Sequence, residues 1–432
     1  MRQHSFYSAV FFLLGLYLAM SPGMYARETG DTLSCGQGYM RNMQYGDIRR
    51  GGAKVSFAYD LDFEMNFDNR EYDRSDYAPS GTIFGARLTP SAGVAVRQPG
   101  GMLHRVMAGI DIMKDFGRSP VSPEMTKSGT ETPETSPGLS NWNLFNEITI
   151  YYQLACRLGR TDFGLTAGVF PKSFSKAEYP RTFFSDSVRF YDNNYEGLLL
   201  TFGRPRAYYE VGCDWMGMYG TDRRERFMIF SHGDAGLLPW LSLGYSAYMY
   251  HFAGCDNVWG VVDNILVNPW ICFDFSSMTG FQKLGVTAGG LLSGQNDRRQ
   301  SGRYVFPYGA ELVFDIRRWN VGIQHRMFCG KDMMPYYAAT DAEGFKYGNR
   351  LYLGDPFYRV ARDGGIGMYN RVEVYYEPHI ADFVDLRVSV TGHFHNGYSG
   401  CQQQVGLVFN LQRLLSGGSR HSGCPGRRSC CR

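Results

Sequence analysis

The stretch KVSFAYDLDFEMNFD, Lys54 to Asp68, carries four carboxylates at even-numbered positions: Asp60, Asp62, Glu64 and Asp68. The odd positions are Val55, Phe57, Tyr59, Leu61, Phe63, Met65 and Phe67. On an extended chain, side chains two residues apart share a face, so the carboxylates form one acidic stripe. Set against bases on neighbouring segments, such a stripe makes an electric field across the space it faces. Other residues invite other chemistry. His393 and His395 stand two apart, with Asp385 further along the same face. Two imidazoles so spaced can share a metal, but a third ligand cannot be placed. His104 with Asp111 invites comparison with a hydrolase dyad, read with His104 on a lumenal face, yet no serine sits in a recognisable nucleophile setting. There is no phosphate-cradling glycine loop and no CxxC…CxxC spacing among the ten cysteines. On these grounds we expect no metal, no cofactor and no enzymatic activity.

The elements that would hold these residues are strands. Trp142 to Leu158 places Leu144, Ile148, Ile150, Tyr152, Leu154 and Cys156 on one face against Glu147, Thr149, Gln153 and Arg157, broken only at Asn146. Val384 to Phe394 and Arg371 to Glu377 alternate in the same way. A period of two with one apolar face is the signature of a strand that buries one side only. Sixteen such segments lie between 53 and 413. They include 142–159, 224–232, 303–316, 319–330 and 401–413. Short turns such as Gln98-Pro99-Gly100-Gly101, Gly159-Arg160-Thr161-Asp162 and Arg317-Arg318 join alternate pairs. The long connections, 118–141, 174–195 and 331–366, all fall at the other parity. A sheet with one wholly apolar face, an even strand count and loops sorted by length is expected to close into a transmembrane barrel, because open edges cannot sit in hydrocarbon.

The ends read differently. Arg2 and His4 precede an apolar run from Ala9 to Met20, then Ser21-Pro22-Gly23 and Met24-Tyr25-Ala26, the pattern of a secretory signal over 1–26. Residues 27–52 read as a periplasmic N-terminal segment, 53–413 as the barrel, and 414–432 as a disordered Gly-, Arg- and Cys-rich tail. No internal run is long and apolar enough for a spanning helix. The net charge of +3 gives no argument for nucleic acid. Trp319 at a short turn, with Trp142 and Trp215 at the opposite rim, suits the aromatic girdles of such barrels.

Over roughly 53–413 the chain resembles a Gram-negative outer-membrane β-barrel of the porin type, all-β with about sixteen antiparallel strands. The resemblance implies an outer-membrane location, contact with lipid, insertion by the barrel-assembly machinery, passive passage of small hydrophilic solutes and, for porins of this size, a homotrimer. A sixteen-stranded barrel is too wide for its wall side chains to fill. Alternation then makes Asp60, Asp62, Glu64, Arg87, Arg105, Asp111, Glu147, Arg157, Glu210, Asp214, Arg371, Glu373 and Arg387 the expected pore lining. The plainer reading is that these charges only solvate the lumen and pair with one another. The resemblance also implies that the loop after the fifth strand, 174–197, folds inward as a constriction. There Lys176, Glu178, Arg181, Asp186, Arg189 and Asp192 alternate with aromatic residues that would pin the loop to the wall. Tyr336, Tyr337, Tyr347, Tyr352 and Tyr358 in 331–366 suggest ring stacking on sugars or tethering of that loop to the rim. The alternative function is a barrel with a blocked lumen that binds or assembles surface polysaccharide.

Overall fold

The computed structural model describes residues 52–72, 77–116 and 147–416, apart from residues 222, 301, 342, 343, 345, 362, 363 and 396. The expected signal segment, most of 27–52, Trp142 and the tail beyond 416 lie outside the described residues. Among the described residues, seventeen antiparallel strands form one sheet. They are β1 (Lys54–Glu71), β2 (Gly81–Arg97), β3 (Leu103–Asp115), β4 (Glu147–Leu158), β5 (Thr161–Pro171), β6 (Asn194–Arg204), β7 (Ala207–Gly217), β8 (Arg226–Leu238), β9 (Leu241–Phe252), β10 (Val262–Asp274), β11 (Lys283–Asp297), β12 (Tyr308–Arg318), β13 (Val321–Gly330), β14 (Gly367–Tyr376), β15 (His379–Ala381), β16 (Val384–His395) and β17 (Tyr398–Asn410). The three-residue β15 only lengthens the turn between β14 and β16, which pair directly. Sixteen staves therefore make the wall. The barrel closes where β1 pairs with β17, from Asp62 opposite Asn410 to Glu71 opposite Cys401.

Side-chain period fixes the two faces. On β1 the odd positions point out, and Val55 and Phe57 are largely exposed. Ile148, Ile150, Ile323, Val374 and Val390 continue this outer apolar band on other strands. Leu61 lies on the same outward face, opposite Pro90 of β2. Arg at Leu61 should therefore destabilise the barrel by about 2–4 kcal/mol, as a charge near mid-bilayer does. Denaturant unfolding in lipid vesicles measures this, and a loss below about 0.5 kcal/mol would contradict the lipid-facing placement. Pro90 and Pro269 have no N–H to donate, and the β2–β3 and β10–β11 registers are interrupted beside them.

Strand edges differ from expectation in a few places. The stretch 224–232 belongs to a longer strand that runs on to Leu238, and β17 starts at Tyr398 rather than 401. The short turn between β12 and β13 falls at Trp319-Asn320, not at Arg317-Arg318. Both residues adopt left-handed φ values, 52° and 64°, as the tight hairpin turns that match strand twist require. Segment 303–307 lies before β12, held to β11 by the Gln295–Val305 bridge. His104 is not lumenal. On β3 the buried residues Leu103, Met107, Asp111 and Asp115 define the inner face, so His104 points outward, where Nδ1 lies 2.7 Å from the Tyr152 hydroxyl. Seven residues apart on a strand, His104 and Asp111 stand on opposite faces and form no dyad.

Candidate functional site

Two long loops enter the barrel from one end. The first, 172–193, begins as a 3-10 turn over Lys172–Phe174, continues without regular structure through a turn at 181–183, and ends in a six-residue helix, α1 (Asp186–Tyr191). The Ser185 hydroxyl caps α1 by accepting the Val188 N–H at 3.3 Å. The second, 331–366, carries a short helix, α2 (Gly348–Leu351), and a 3-10 turn over Pro356–Tyr358. The loops pair through backbone: the Ser185 N–H donates to Leu353 O and the Asp355 N–H donates to Arg181 O, both at 2.8 Å. At Gly354 a Cβ would lie 2.1 Å from the Thr182 carbonyl oxygen, so only glycine permits this approach.

Aromatic residues fill the space between the loops and the wall. Tyr179 meets Phe230 edge-on at 5.7 Å, Phe183 meets Tyr248 at 4.7 Å, and Phe357 stacks on His393 at 4.4 Å. One continuous apolar cluster joins Tyr179, Phe183, Phe184 and Val188 of the first loop with Tyr347, Leu351, Tyr352, Phe357 and Tyr358 of the second, and with inward residues of most staves. At this level the lumen is packed. Three tyrosines of 331–366, Tyr347, Tyr352 and Tyr358, are buried in that cluster rather than set along the rim.

Polar anchors fix the first loop. Glu210 on β7 is fully buried. It accepts from the hydroxyls of Ser175 (2.6 Å), Tyr179 (2.9 Å) and Tyr208 (2.5 Å), and from the N–H groups of Lys176 (3.1 Å) and Ala177 (3.4 Å). Lys172 reaches Asp192 at 3.0 Å and Asp214 at 3.7 Å. Arg87 pairs with Asp111 and donates to the Phe190 carbonyl. Arg189 donates to Tyr179 O at 2.6 Å, and Arg181 pairs with Asp186 at 2.7 Å. Burial alone would raise the Asp186 carboxyl, but Arg181, Arg371 and Arg189 outweigh it and hold the group well below the usual carboxylate range. Asp355 goes the other way: burial pushes it up and Arg181 offsets that only in part.

Between the first loop and the wall lies a partly open cavity of about 500 Å³. Its lining brings together Glu178, Arg181, Asp186 and Arg189 of the loop with Glu311, Arg326, Glu373 and Arg387 of the wall, beside Trp270 and Asn268. Arg371, with no exposed surface, pairs with Glu373 at 2.8 Å, and Arg387 reaches the same carboxylate at 2.9 Å. Arg326 pairs with Glu311 at 2.5 Å, and Tyr358 donates to Glu311 as well. The cavity is thus lined by acid–base pairs, which suits a small polar or zwitterionic guest.

The remaining residues singled out from sequence are distributed along the inner wall. Asp60 accepts the Leu61 N–H at 3.0 Å, Asp62 bonds Asn410 across the closing seam, and Glu64 stands opposite Arg87. Arg105 donates to Gln153 at 3.3 Å, Glu147 faces Asp111 across β3–β4, and Arg157 pairs with Asp162 at 3.1 Å near the short-turn end. Lys176 offers its backbone N–H to Glu210, and Asp214 accepts the Glu196 N–H at 2.9 Å. Glu311, Arg326 and Trp270 were not anticipated as site residues. The alternation that places Glu311 and Arg326 inward is present in their strands, but nothing local marks them as partners of a loop. His393 lies 2.7 Å from the Tyr369 hydroxyl through Nδ1 and 3.3 Å from Gln402 through Nε2, and His395 lies 2.9 Å from the Tyr77 hydroxyl. Among the described residues, no three His, Cys, Asp or Glu side chains come together as a metal would require.

A family model described as lipid A 3'-O-deacylase-type matches residues 53–411, the whole barrel. No curated protein sequence matches the chain. Among solved structures, a mutant porin of Rhodopseudomonas blastica aligns at 11% identity and TM-score 0.40, covering 82% of this chain and 100% of the porin. OpdK of Pseudomonas aeruginosa, solved with vanillate, aligns at 8% identity and TM-score 0.39, covering 82% and 98%. The family match corrects one expectation. A barrel without enzymatic activity was inferred from the lack of a nucleophile motif, yet the matching family is enzyme-associated. A site assembled from separate strands leaves no contiguous motif to find.

Proposed function

The chain belongs to the lipid A 3'-O-deacylase-type family, and from that membership we propose that it is an outer-membrane enzyme hydrolysing an ester-linked acyl chain of a lipid A-like glycolipid. The reaction adds water to the acyl carbonyl and breaks the ester C–O bond. It leaves a fatty acid and a free sugar hydroxyl. The observation that carries this reading is the match along the full barrel, 53–411. The packed lumen supports it, because a substrate held in the outer leaflet approaches the wall from outside and needs no open channel. Folded protein incubated with lipid A in detergent micelles should release one class of ester-linked chain, seen by mass spectrometry as the loss of one acyl mass. Intact acylation after incubation with protein of normal heat-modifiable gel mobility would sink the proposal.

A second reading is a channel for small hydrophilic solutes. The charged cavity of about 500 Å³ beneath the first loop favours it. It requires the two loops to move, which single-channel recording tests.

A further inference from the structure

The outer wall carries a row of side chains that an apolar lipid belt does not call for. Strand register sets Trp215 opposite Phe227, Phe227 opposite His251, and His251 opposite Asp263. All four stand on the outward positions of β7 to β10. The indole and phenyl rings stack at 5.2 Å with planes 12° apart, and the phenyl stacks on the imidazole at 4.8 Å. The row ends in a charged knot. Asp263 accepts from Arg298 Nε and Nη2 at 2.8 Å and from the Tyr304 hydroxyl at 3.3 Å, with His251 Nδ1 at 3.6 Å. An ionisable group on the lipid side of a barrel is costly at mid-bilayer and tolerated near the headgroups. His251 is the penultimate residue of β9 and Asp263 the second of β10, at the long-loop end. Their level is therefore where acyl chains give way to headgroups.

We propose that this row binds the saccharide headgroup of a glycolipid in the outer leaflet. A sugar presents hydroxyls that need both donors and acceptors, and a C–H face that packs on aromatic rings. The row supplies each at one height. Arg298, whose side chain is 37% exposed, donates; the hydroxyl of Tyr304, an exposed residue whose O–H is directed to the buried Asp263, accepts; and Trp215, 40% exposed, is the platform. A phosphate is the poorer occupant, since the Asp263 carboxylate lies at the centre and already engages the guanidinium. The choice of lipid rests on the enzymatic reading above, whereas the site rests on the outer-wall geometry.

The test uses full-length folded protein and native mass spectrometry, with lipid A and phosphatidylethanolamine added separately. The paired change Asp263→Asn with Arg298→Gln removes both charges together, so neither is left buried alone. Trp215→Ala removes the platform and leaves the ion pair. Both variants should retain lipid A about tenfold less than the unmodified protein. Phosphatidylethanolamine retention should not change. Trp319→Ala, at the opposite rim, should behave as unmodified. Lipid A retention in both variants equal to that of the unmodified protein overturns the site, and so does an equal loss of the two lipids. Acyl release measured on the same samples separates the proposals. Release without any effect of these variants on retention removes this site and leaves the enzyme. Selective retention that the variants weaken, without release, supports the site and removes the enzyme.

Discussion

Replacing residues 176–192 with a short Gly-Ser linker should raise single-channel conductance in planar bilayers about tenfold or more, as expected when a sixteen-stave barrel loses its filling. The effect is large because the loop contributes more than its own volume. It removes Tyr179, Phe183, Phe184 and Val188 from the central cluster. It also removes Arg181 and Ser185, whose backbone groups hold Leu353 and Asp355 of the second loop. The second loop then loses a hydrogen-bonded edge and part of its apolar cover. Strand pairing does not involve these residues, so the variant should still run as a folded barrel on heat-modifiable gels. Conductance equal to that of the unmodified protein, with normal gel mobility, would show that the loop does not close the lumen.

A single carboxylate should have the next largest effect. Glu210→Ala leaves three hydroxyls and two N–H groups of a buried site without their acceptor. Stranding buried donors costs about 1–3 kcal/mol each where water cannot reach them. Relaxation of the loop will recover some of this, so we expect a net loss of about 3–5 kcal/mol. Three of those donors, Ser175, Lys176 and Ala177, lie where the loop leaves the wall, so their release should free the segment. Trypsin should then cut after Lys176 or Arg181, sites that should resist it in the unmodified protein. Tyr208→Phe removes one hydroxyl and leaves the others in place, and should cost only about 1 kcal/mol. If the alanine variant melts and resists trypsin as the unmodified protein does, Glu210 does not fix the loop.

Much of the wall was legible in the sequence because alternation is local. β1, β4, β14 and β16 each state their own faces, and a strand at Val384–His395 needs no knowledge of its neighbours. The sorting of long and short connections by parity then implied closure. Errors arose where the signal was relative rather than absolute. His104 was assigned inward together with Arg105 and Asp111, although neighbours on one strand alternate between faces and only the odd positions turn in. The inward course of 172–193 came from resemblance, not from its residues. The second loop was harder still. Its tyrosines gave no sign that they would pack on the first loop, because the pairing of Ser185 with Leu353 spans a separation no local pattern reports. The outer row from Trp215 to Asp263 was missed for the same reason. Each residue alone looks like ordinary strand composition, and only register brings the four to one height.

The seam between β1 and β17 also bears on how the molecule is made. Asp62 and Asn410, which meet there, are separated by 348 positions in the chain. Until Tyr398–Asn410 has been synthesised, the other staves form a curved sheet with two unsatisfied edges, which hydrocarbon does not tolerate. The intermediate's apolar face therefore needs cover other than hydrocarbon until the seam closes. Contacts so distant in sequence form slowly, so closure of this one pair of strands is expected to set the maturation time of the whole protein. Loss of β17 should then leave material for periplasmic proteases rather than a smaller barrel.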